Sequence, residues 1–232
     1  MVERLFHLLI SGDRMGARAL VSDALRSPVA PEDFSHETLW PAMEMISTLF
    51  RSDQLSTLAH HFGTRLLRSL VDQMQPLYEQ SQRRGKSILL FCGPSEEEEL
   101  AAQLVADLAE ADGYSVLLGG SGVSNDEVLA EVGRRRPDVL LLFASAASDA
   151  PNIRQLIDTI REINACASMQ VVVGGGVFNR AEGLAEEIGA DLWAKSPREL
   201  LTVLHSRPER RATADQRTVG RNRRTPPRAE AA

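Results

Sequence analysis

The 232-residue sequence has little of several features that mark common protein classes. It contains only two cysteines, Cys92 and Cys166, which lack metal-ligand spacing and suit a reducing compartment. No apolar run approaches the roughly 20 residues that a membrane-spanning helix needs. The first residues have a helical apolar pattern with an acidic residue at position 3, unlike a signal peptide. We therefore expect a soluble, cytoplasmic protein without membrane association.

The sequence also lacks the arrangements that are typical of catalysis and of nucleic-acid binding. It has no Ser/His/Asp, zinc-ligand or phosphate-loop motif, and the glycine-rich segment 119–126 lacks the lysine of a nucleotide-binding loop. The net charge of −6 argues against a folded body that binds nucleic acid, leaving only the Arg-rich C-terminal segment for such contacts. We expect a protein that is not itself an enzyme.

The N-terminal part of the sequence predicts helices. Residues 1–80 have apolar side chains at helical spacing and no convincing strand. The pattern breaks near Gly12, a second helix takes Ser35 as its candidate N-cap, and a long helix covers residues 55–78. The sequence thus predicts a bundle of four or five helices, followed by a polar linker at residues 81–86.

From Ser87 onward, short apolar runs alternate with helical patterns. Alternating strands and helices, with continuously apolar strands, predict a parallel sheet covered on both faces over residues 87–206. The last segment, 207–232, is Arg-rich and apolar-poor, which predicts a disordered tail. The predicted strands lie within 87–91, 114–120, 138–145, 170–176 and 191–195, and the helices within 96–112, 125–136, 152–164, 180–188 and 197–205.

A helical bundle followed by such an α/β domain resembles the cobalamin-binding modules of methionine synthase, of corrinoid methyltransferase subunits and of CarH-type light sensors. The resemblance covers nearly everything before the tail. It implies an α/β fold in which an N-terminal helical bundle caps a flavodoxin-like (Rossmann-type) five-stranded parallel sheet. It also implies a flat tetrapyrrole held between the cap and the sheet.

The loop after the first strand departs from the family pattern. The family has Asp-x-His-x-x-Gly there, and its histidine binds cobalt from below. In the segment CGPSEEEELAAQL, residues 92–104, Glu96 falls at the aspartate position and Glu98 at the histidine position. A carboxylate is a harder donor than imidazole and a poor substitute as a cobalt ligand. The alternative is that the acidic run only stabilises the first helical turn, by about 0.3–1 kcal/mol for each residue.

Two further loops carry the part of the resemblance that concerns the nucleotide tail. The family threads this tail into a slot between sheet and helices, past Ser-x-Leu after the third strand and Gly-Gly after the fourth. Counting from Asp138 puts Phe143 at the serine position, two residues before the nearest serine. Glycines let a backbone approach a ligand closely, although a tight turn explains them equally well. The candidate residues are Ser145, Ser148, Gly174, Gly175 and Gly176.

The cap carries the other half of the resemblance. In the light-sensor branch, a tryptophan and a Glu-His pair pack over the upper face of the ring. Here Phe50 stands at the tryptophan position and His60–His61 at the Glu-His position. Neighbouring helical residues point about 100° apart, so one histidine faces the site. The resemblance makes His61 the upper cobalt ligand, with His60 as the fallback and a purely structural role as the alternative.

These features lead to three functional hypotheses. The first is a sensory or regulatory tetrapyrrole-binding protein, for instance a photoreceptor, that holds cobalamin, or haem or a bilin in its place. It would signal to a protein partner such as a transcription regulator or a sensor kinase, and the resemblance suggests a homodimer. The second is the corrinoid carrier subunit of a methyltransferase, against which the missing lower ligand argues. The third is a protein-interaction scaffold without a cofactor.

Overall fold

Five helices form the N-terminal cap in the computed structural model, which describes residues 1–26, 28–164, 166–213 and 216–217. α1 packs against both α4 and α5, and α4 packs against α5. Each of these helices buries an apolar face in the bundle, as the helical spacing predicts. The helices are α1 (Val2–Ser11), α2 (Arg14–Leu25), α3 (Pro31–Phe34), α4 (Trp40–Arg51) and α5 (Thr57–Met74).

The break predicted near Gly12 is confirmed. Gly12 has a φ of 73°, the left-handed conformation that glycine adopts readily, and it ends α1. The next residue, Asp13, accepts a hydrogen bond from the backbone N–H of Gly16 and begins α2. The two helices are therefore separated by a turn that the local sequence encodes.

Ser35 was predicted to begin a helix, and that prediction is wrong. The helix begins at Pro31, and a π-helical turn (Ser35–Leu39) leads without interruption into α4. The Ser35 hydroxyl is buried instead and shares a hydrogen bond of 2.7 Å with the hydroxyl of Tyr78. Ser35 therefore hydrogen-bonds to a buried side chain and does not cap a helix.

The second part of the chain is a five-stranded parallel sheet with helices on both faces. Its strand order is β2–β1–β3–β4–β5, the flavodoxin-like order, so the predicted fold class is confirmed. The strands are β1 (Ser87–Cys92), β2 (Ser115–Gly120), β3 (Val139–Phe143), β4 (Gln170–Gly174) and β5 (Leu192–Ala194). The helices are α6 (Glu96–Ala111), α7 (Asn125–Arg135), α8 (Ala150–Ile163), α9 (Gly176–Arg180), α10 (Leu184–Glu187) and α11 (Pro197–Ser206).

The cap and one face of the sheet share a single hydrophobic core. Leu39 of the cap belongs to the same buried cluster as Leu90 of β1 and Leu104 of α6. A second cluster fills the opposite face, between the sheet and helices α7 and α8. Since apolar burial is the main favourable term in folding, the shared core fixes the cap on the domain.

Two elements of the sheet domain differ from the sequence-based expectation. β2 is an edge strand, and its Leu117 and Leu118 are 40% and 44% exposed, where full burial was predicted. The helix predicted over residues 180–188 begins later and is shorter: α10 starts after Gly183, which has a φ of 79°, and Arg180 is instead the last residue of α9. Within the described residues, no helix combines the length and apolar character needed to cross a bilayer.

The segment predicted as a tail begins by packing on the domain. Asp191, whose side chain is fully buried, accepts hydrogen bonds of 2.6 Å from the backbone N–H groups of Val171 and Ala212. Residues 207–213 therefore lie against β4 and β5, and the prediction placed the boundary too early. Residues 214–215 and 218–232 of the predicted tail lie outside the described residues.

Candidate functional site

A cleft of about 230 Å³ lies between the cap and the carboxyl ends of the strands. This edge of an open α/β sheet is where ligands bind, because the loops after the strands diverge there. The cap contributes side chains from α4, and the domain contributes the start of α6 and the loops after β3 and β4. Its lining includes the side chains of Trp40, Ser47, Arg51, Glu97, Ser145 and Arg180.

Glu98, at the position of the family's lower histidine ligand, is a buried anchor. It is 2% exposed, and its carboxylate accepts hydrogen bonds from the Ser95 backbone N–H at 3.2 Å and hydroxyl at 2.8 Å. The other carboxylate oxygen accepts from the backbone N–H of Ser145. Ser95 in turn caps α6 by accepting from the Glu98 N–H at 3.1 Å, which completes a capping box. Glu98 thus holds the start of α6 to the loop after β3.

Other glutamates of the acidic run point to the cap. Glu97 accepts a hydrogen bond from the Ser47 hydroxyl, and its carboxylate lies 3.6 Å from His60 Nε2. Glu96 is more exposed, and its carboxylate lies 3.9 Å from the guanidinium of Arg65. The run therefore does more than stabilise a helix start, because it also ties α6 to α4 and α5.

The two adjacent histidines lie in different surroundings. His60 is 8% exposed and stacks on Phe50, with ring centroids 4.0 Å apart. Within the described residues, neither of its ring nitrogens has a hydrogen-bond partner. His61, the residue predicted to bind metal, is exposed on α5. The histidine that faces the cap–domain boundary is His60, and a metal-ligating role for His61 stays a prediction.

The register after β3 is fixed by strand pairing. Phe143 is the last residue of β3 and pairs with Gly174 of β4. Ser145 then lines the cleft, and its carbonyl accepts a hydrogen bond of 2.5 Å from Arg180 Nη2. Ser148 is exposed. Of the two serines predicted as binding residues, the structure brings Ser145 to the cleft; its contact with a cofactor stays a prediction.

The three glycines after β4 have different structural reasons. Gly175 has a φ of 104°, and a Cβ there would lie 2.2 Å from the carbonyl oxygen of Ala144. A Cβ on Gly176 would meet the guanidinium of Arg180 at 2.6 Å. A Cβ on Gly174 would make only ordinary contacts, 3.5 Å from the nearest atom. The chain's own packing therefore requires the second glycine but not the first.

The sequence did not predict five residues of the cleft: Trp40, Ser47, Arg51, Glu97 and Arg180. Burial lowers the pKa of Arg180, and the nearby guanidinium of Arg51 lowers it further. A role for Trp40 in the cleft could have been predicted from the sequence, because Trp40 lies in the cap segment that carries the resemblance. Arg180 gave no such signal, since its place depends on how the loop after β4 folds back over Ser145.

Comparison with known proteins decides the family. Two family models, each described as a B12 binding domain, match residues 86–201 and residues 1–75. The chain belongs to the B12-binding domain family. The two matches divide this B12-binding chain where the structure divides it, into the cap and the sheet domain.

Relatives of this B12-binding chain match it over nearly their whole length. It is 24% identical over 207 residues to monomethylamine corrinoid protein 1 of Methanosarcina mazei, covering 87% of this chain and 94% of the relative. A corrinoid protein of Desulfitobacterium hafniense is 22% identical over 203 residues, covering 84% and 92%. The solved Methanosarcina barkeri monomethylamine corrinoid protein has a TM-score of 0.76 at 20% identity, covering 87% and 95%. Cap and sheet domain therefore share one fold with that protein.

These findings correct the functional interpretation. The relatives are corrinoid proteins, and those of Methanosarcina are named for monomethylamine, so the hypothesis of a sensory or regulatory protein, including a photoreceptor, was wrong. A transcription regulator or sensor kinase as partner loses its support with it. The B12-binding family also gives no support to haem or a bilin as the ring.

The residues fit one part of a cobalamin and not another. A corrin is a flat apolar ring with amide side chains, and the cleft sets Trp40 beside the hydrogen-bonding groups of Ser47 and Arg180. The lower-ligand position, however, holds Glu98 with both carboxylate oxygens engaged. No cluster of three metal-ligating side chains lies within the part of the chain that the structure describes. The lining offers groups that match the chemistry of the ring, but the cleft of about 230 Å³ has to widen to admit a corrin, and the lower-ligand position does not fit ligation by a histidine.

Proposed function

We propose that this chain is a corrinoid carrier of a methyltransferase system. It holds the ring in the cleft between α4 and the carboxyl edge of the sheet and presents it to separate methyltransferase proteins. The observation that carries this proposal is the match to monomethylamine corrinoid proteins across cap, cleft and sheet domain, over 94% of the relative's length. A carrier needs no nucleophile or general base of its own, which agrees with a sequence that offers no catalytic motif.

Each side of the cleft has its own task. When bound, a corrinoid supplies a cobalt atom that can accept and release a methyl group. Trp40 provides an apolar surface for the ring, while Ser47 and Arg180 supply hydrogen-bond donors for its amides. Glu98 acts on the protein itself, since it keeps the loop of Ser145 in place beneath the cleft.

Access to the ring depends on the cap. Glu97 connects α6 to α4 through Ser47 and approaches α5 at His60. A partner enzyme can reach a ring in the cleft only where the cap moves away from these contacts. A cap that stays attached through the shared core at Trp40 and opens at the polar contacts of Ser47 and His60 suits this access.

Reconstitution tests this proposal. The purified chain is incubated with hydroxocobalamin, freed of unbound corrinoid by gel filtration, and its cobalt content is measured against protein. We expect close to one cobalt atom per chain, and at least tenfold weaker binding for Arg180→Ala, a loss of roughly 1.4 kcal/mol. Arg65→Ala, on the exposed side of α5, is the matched control and should bind as the unaltered chain does. A chain that retains no corrinoid would favour the cofactor-free scaffold.

A further inference from the structure

The slot to which the resemblance assigns the nucleotide tail is nearly closed. It lies between the sheet and helices α6 and α11, where Val105 and Leu200 face Leu141 and Ala194 of the strands. Its volume is about 20 Å³. A single benzene ring occupies a cavity of roughly 150 Å³, and dimethylbenzimidazole has two fused rings. The base of cobalamin does not fit in this space.

Two aromatic side chains close the slot. By the count from Asp138, the resemblance puts Phe143 at the position of the family's serine, and Phe143 is 8% exposed. The indole of Trp40 meets the Phe143 ring edge to face, with centroids 6.4 Å apart and planes at 86°. Both rings belong to the core that the cap shares with the sheet. Opening the slot would therefore disrupt the packing that attaches the cap.

The backbone beside the slot is also held in place. The loop that follows Phe143 is bonded to the buried carboxylate of Glu98 through the N–H of Ser145. The carbonyl of Ser145 is bonded to Arg180 at 2.5 Å. Hydrogen bonds to charged groups are about twice as strong as neutral ones, so this loop resists the displacement that an entering nucleotide requires.

We propose that this chain binds a corrinoid by its ring, with the nucleotide tail outside the protein. The ligand class is then a corrinoid whose base stays on its own cobalt, or one that has no nucleotide at all. This inference rests on the proposed carrier function. It explains why the chain has a filled slot and a carboxylate anchor at the two places where the family handles the tail and the lower ligand.

The test compares two cofactors on the unaltered full chain. Aquocobalamin and diaquocobinamide, which lacks the nucleotide, are titrated separately and followed by visible absorption. We expect dissociation constants within about threefold of each other, because the tail makes no contacts. In the reduced cobalt(II) state, bound cobalamin should keep the electron paramagnetic resonance splitting of its own base, unchanged when the protein is labelled with heavy nitrogen.

Other results are decisive in different ways. Binding of cobalamin at least tenfold tighter than cobinamide, with a spectrum showing the base displaced, would overturn this inference and leave the carrier function standing. Failure of both corrinoids to bind would overturn the carrier function, and this inference with it. The two failures are thus distinguishable in one pair of titrations.

A substitution at Phe143 is expected to make the chain selective for cobalamin over cobinamide. Phe143→Ser removes the ring that fills the slot, and we expect it to raise the preference for cobalamin over cobinamide by about tenfold or more. Phe91→Ser is the matched control, since Phe91 has the same 8% exposure at the end of β1 but belongs to the core of the opposite face. An equal shift in both variants would attribute the change to general loosening and contradict the inference.

Discussion

At the residue scale, Glu98 shows how one substitution can change the task of a position. The resemblance reads it as a missing metal ligand, whereas the structure shows a carboxylate that joins Ser95 to Ser145. A Cβ on Gly93 would lie 2.5 Å from the Glu98 carboxylate, so glycine there gives the carboxylate its space. The position has become structural, and stability experiments are the way to see its role.

We predict that Glu98→Ala lowers the free energy of unfolding by about 1–3 kcal/mol, because it leaves the buried N–H of Ser145 without a partner. Glu96→Ala, in the same acidic run, should cost roughly 0–1 kcal/mol, as is usual for exposed ion pairs. Urea denaturation followed by circular dichroism measures both. Equal costs for the two variants would show that Glu98 contributes only to the helix terminus.

A second residue gives a pH-dependent expectation. Burial, together with the smaller effect of the negative charges of Glu110 and Asp72, raises the pKa of Asp107 from 3.8 to about 6. The folded chain therefore takes up a proton at a pH where the unfolded chain does not. Ionisation of Asp107 thus opposes folding above pH 6, and this cost disappears as the pH falls toward 4.

We predict that Asp107→Asn stabilises the chain by about 1–2 kcal/mol at pH 8 and by much less at pH 4. The amide has the shape of the acid without its charge, so the gain should follow the ionisation of the acid. Urea denaturation at the two pH values measures it, with Asp126→Asn on the exposed start of α7 as the control. A gain independent of pH would contradict the assignment to charge burial.

At the element scale, the start of α6 connects the sheet domain to both long helices of the cap. Glu97 bonds to Ser47 on α4 and lies close to His60 on α5. Its side chain is 18% exposed, so these contacts are partly shielded from water. The cap is held by a broad apolar core, which reaches the cleft at Trp40, and by these polar contacts at the C-terminal half of α4 and at α5. Loss of the polar contacts is expected to loosen that part of α4 while the core keeps the cap attached.

We predict that Glu97→Ala loosens the cap over the cleft without unfolding it. Hydrogen exchange should quicken in α4, particularly around Ser47, while the centre of α5 near Leu67 stays protected by the shared core. Mass spectrometry of exchanged peptides gives this comparison, with Glu96→Ala as the control. Uniform acceleration along the cap would mean that Glu97 stabilises the whole bundle.

At the scale of the whole molecule, periodicity in the sequence is enough for the architecture. Continuous apolar runs locate the five strands, and helical spacing locates the cap. The two predictions that were wrong concern residues whose contacts lie far away in the sequence. Ser35 looks like an N-cap until Tyr78 is brought beside it, and the end of the sheet domain is misplaced because Asp191 binds residues that have no apolar signal of their own.

The candidate site was predictable in its location and less so in its details. The loop positions follow from the strand order, so Ser145 and the glycines fall at the correct edge. Which histidine points inward depends on the rotation of α5, and the pattern of apolar residues did not settle it. The contact between Trp40 and Phe143, which closes the slot, joins residues about a hundred positions apart, and no local sequence pattern reveals it.

The proposed function places a corrinoid in the cleft between α4 and the carboxyl edge of the sheet. The most direct test is hydrogen exchange of the chain with and without saturating hydroxocobalamin. We predict slower exchange in residues 40–51 and 175–181, which form the two walls of the cleft. Unchanged exchange in both walls, with bound corrinoid present, would place the ring elsewhere and contradict the account.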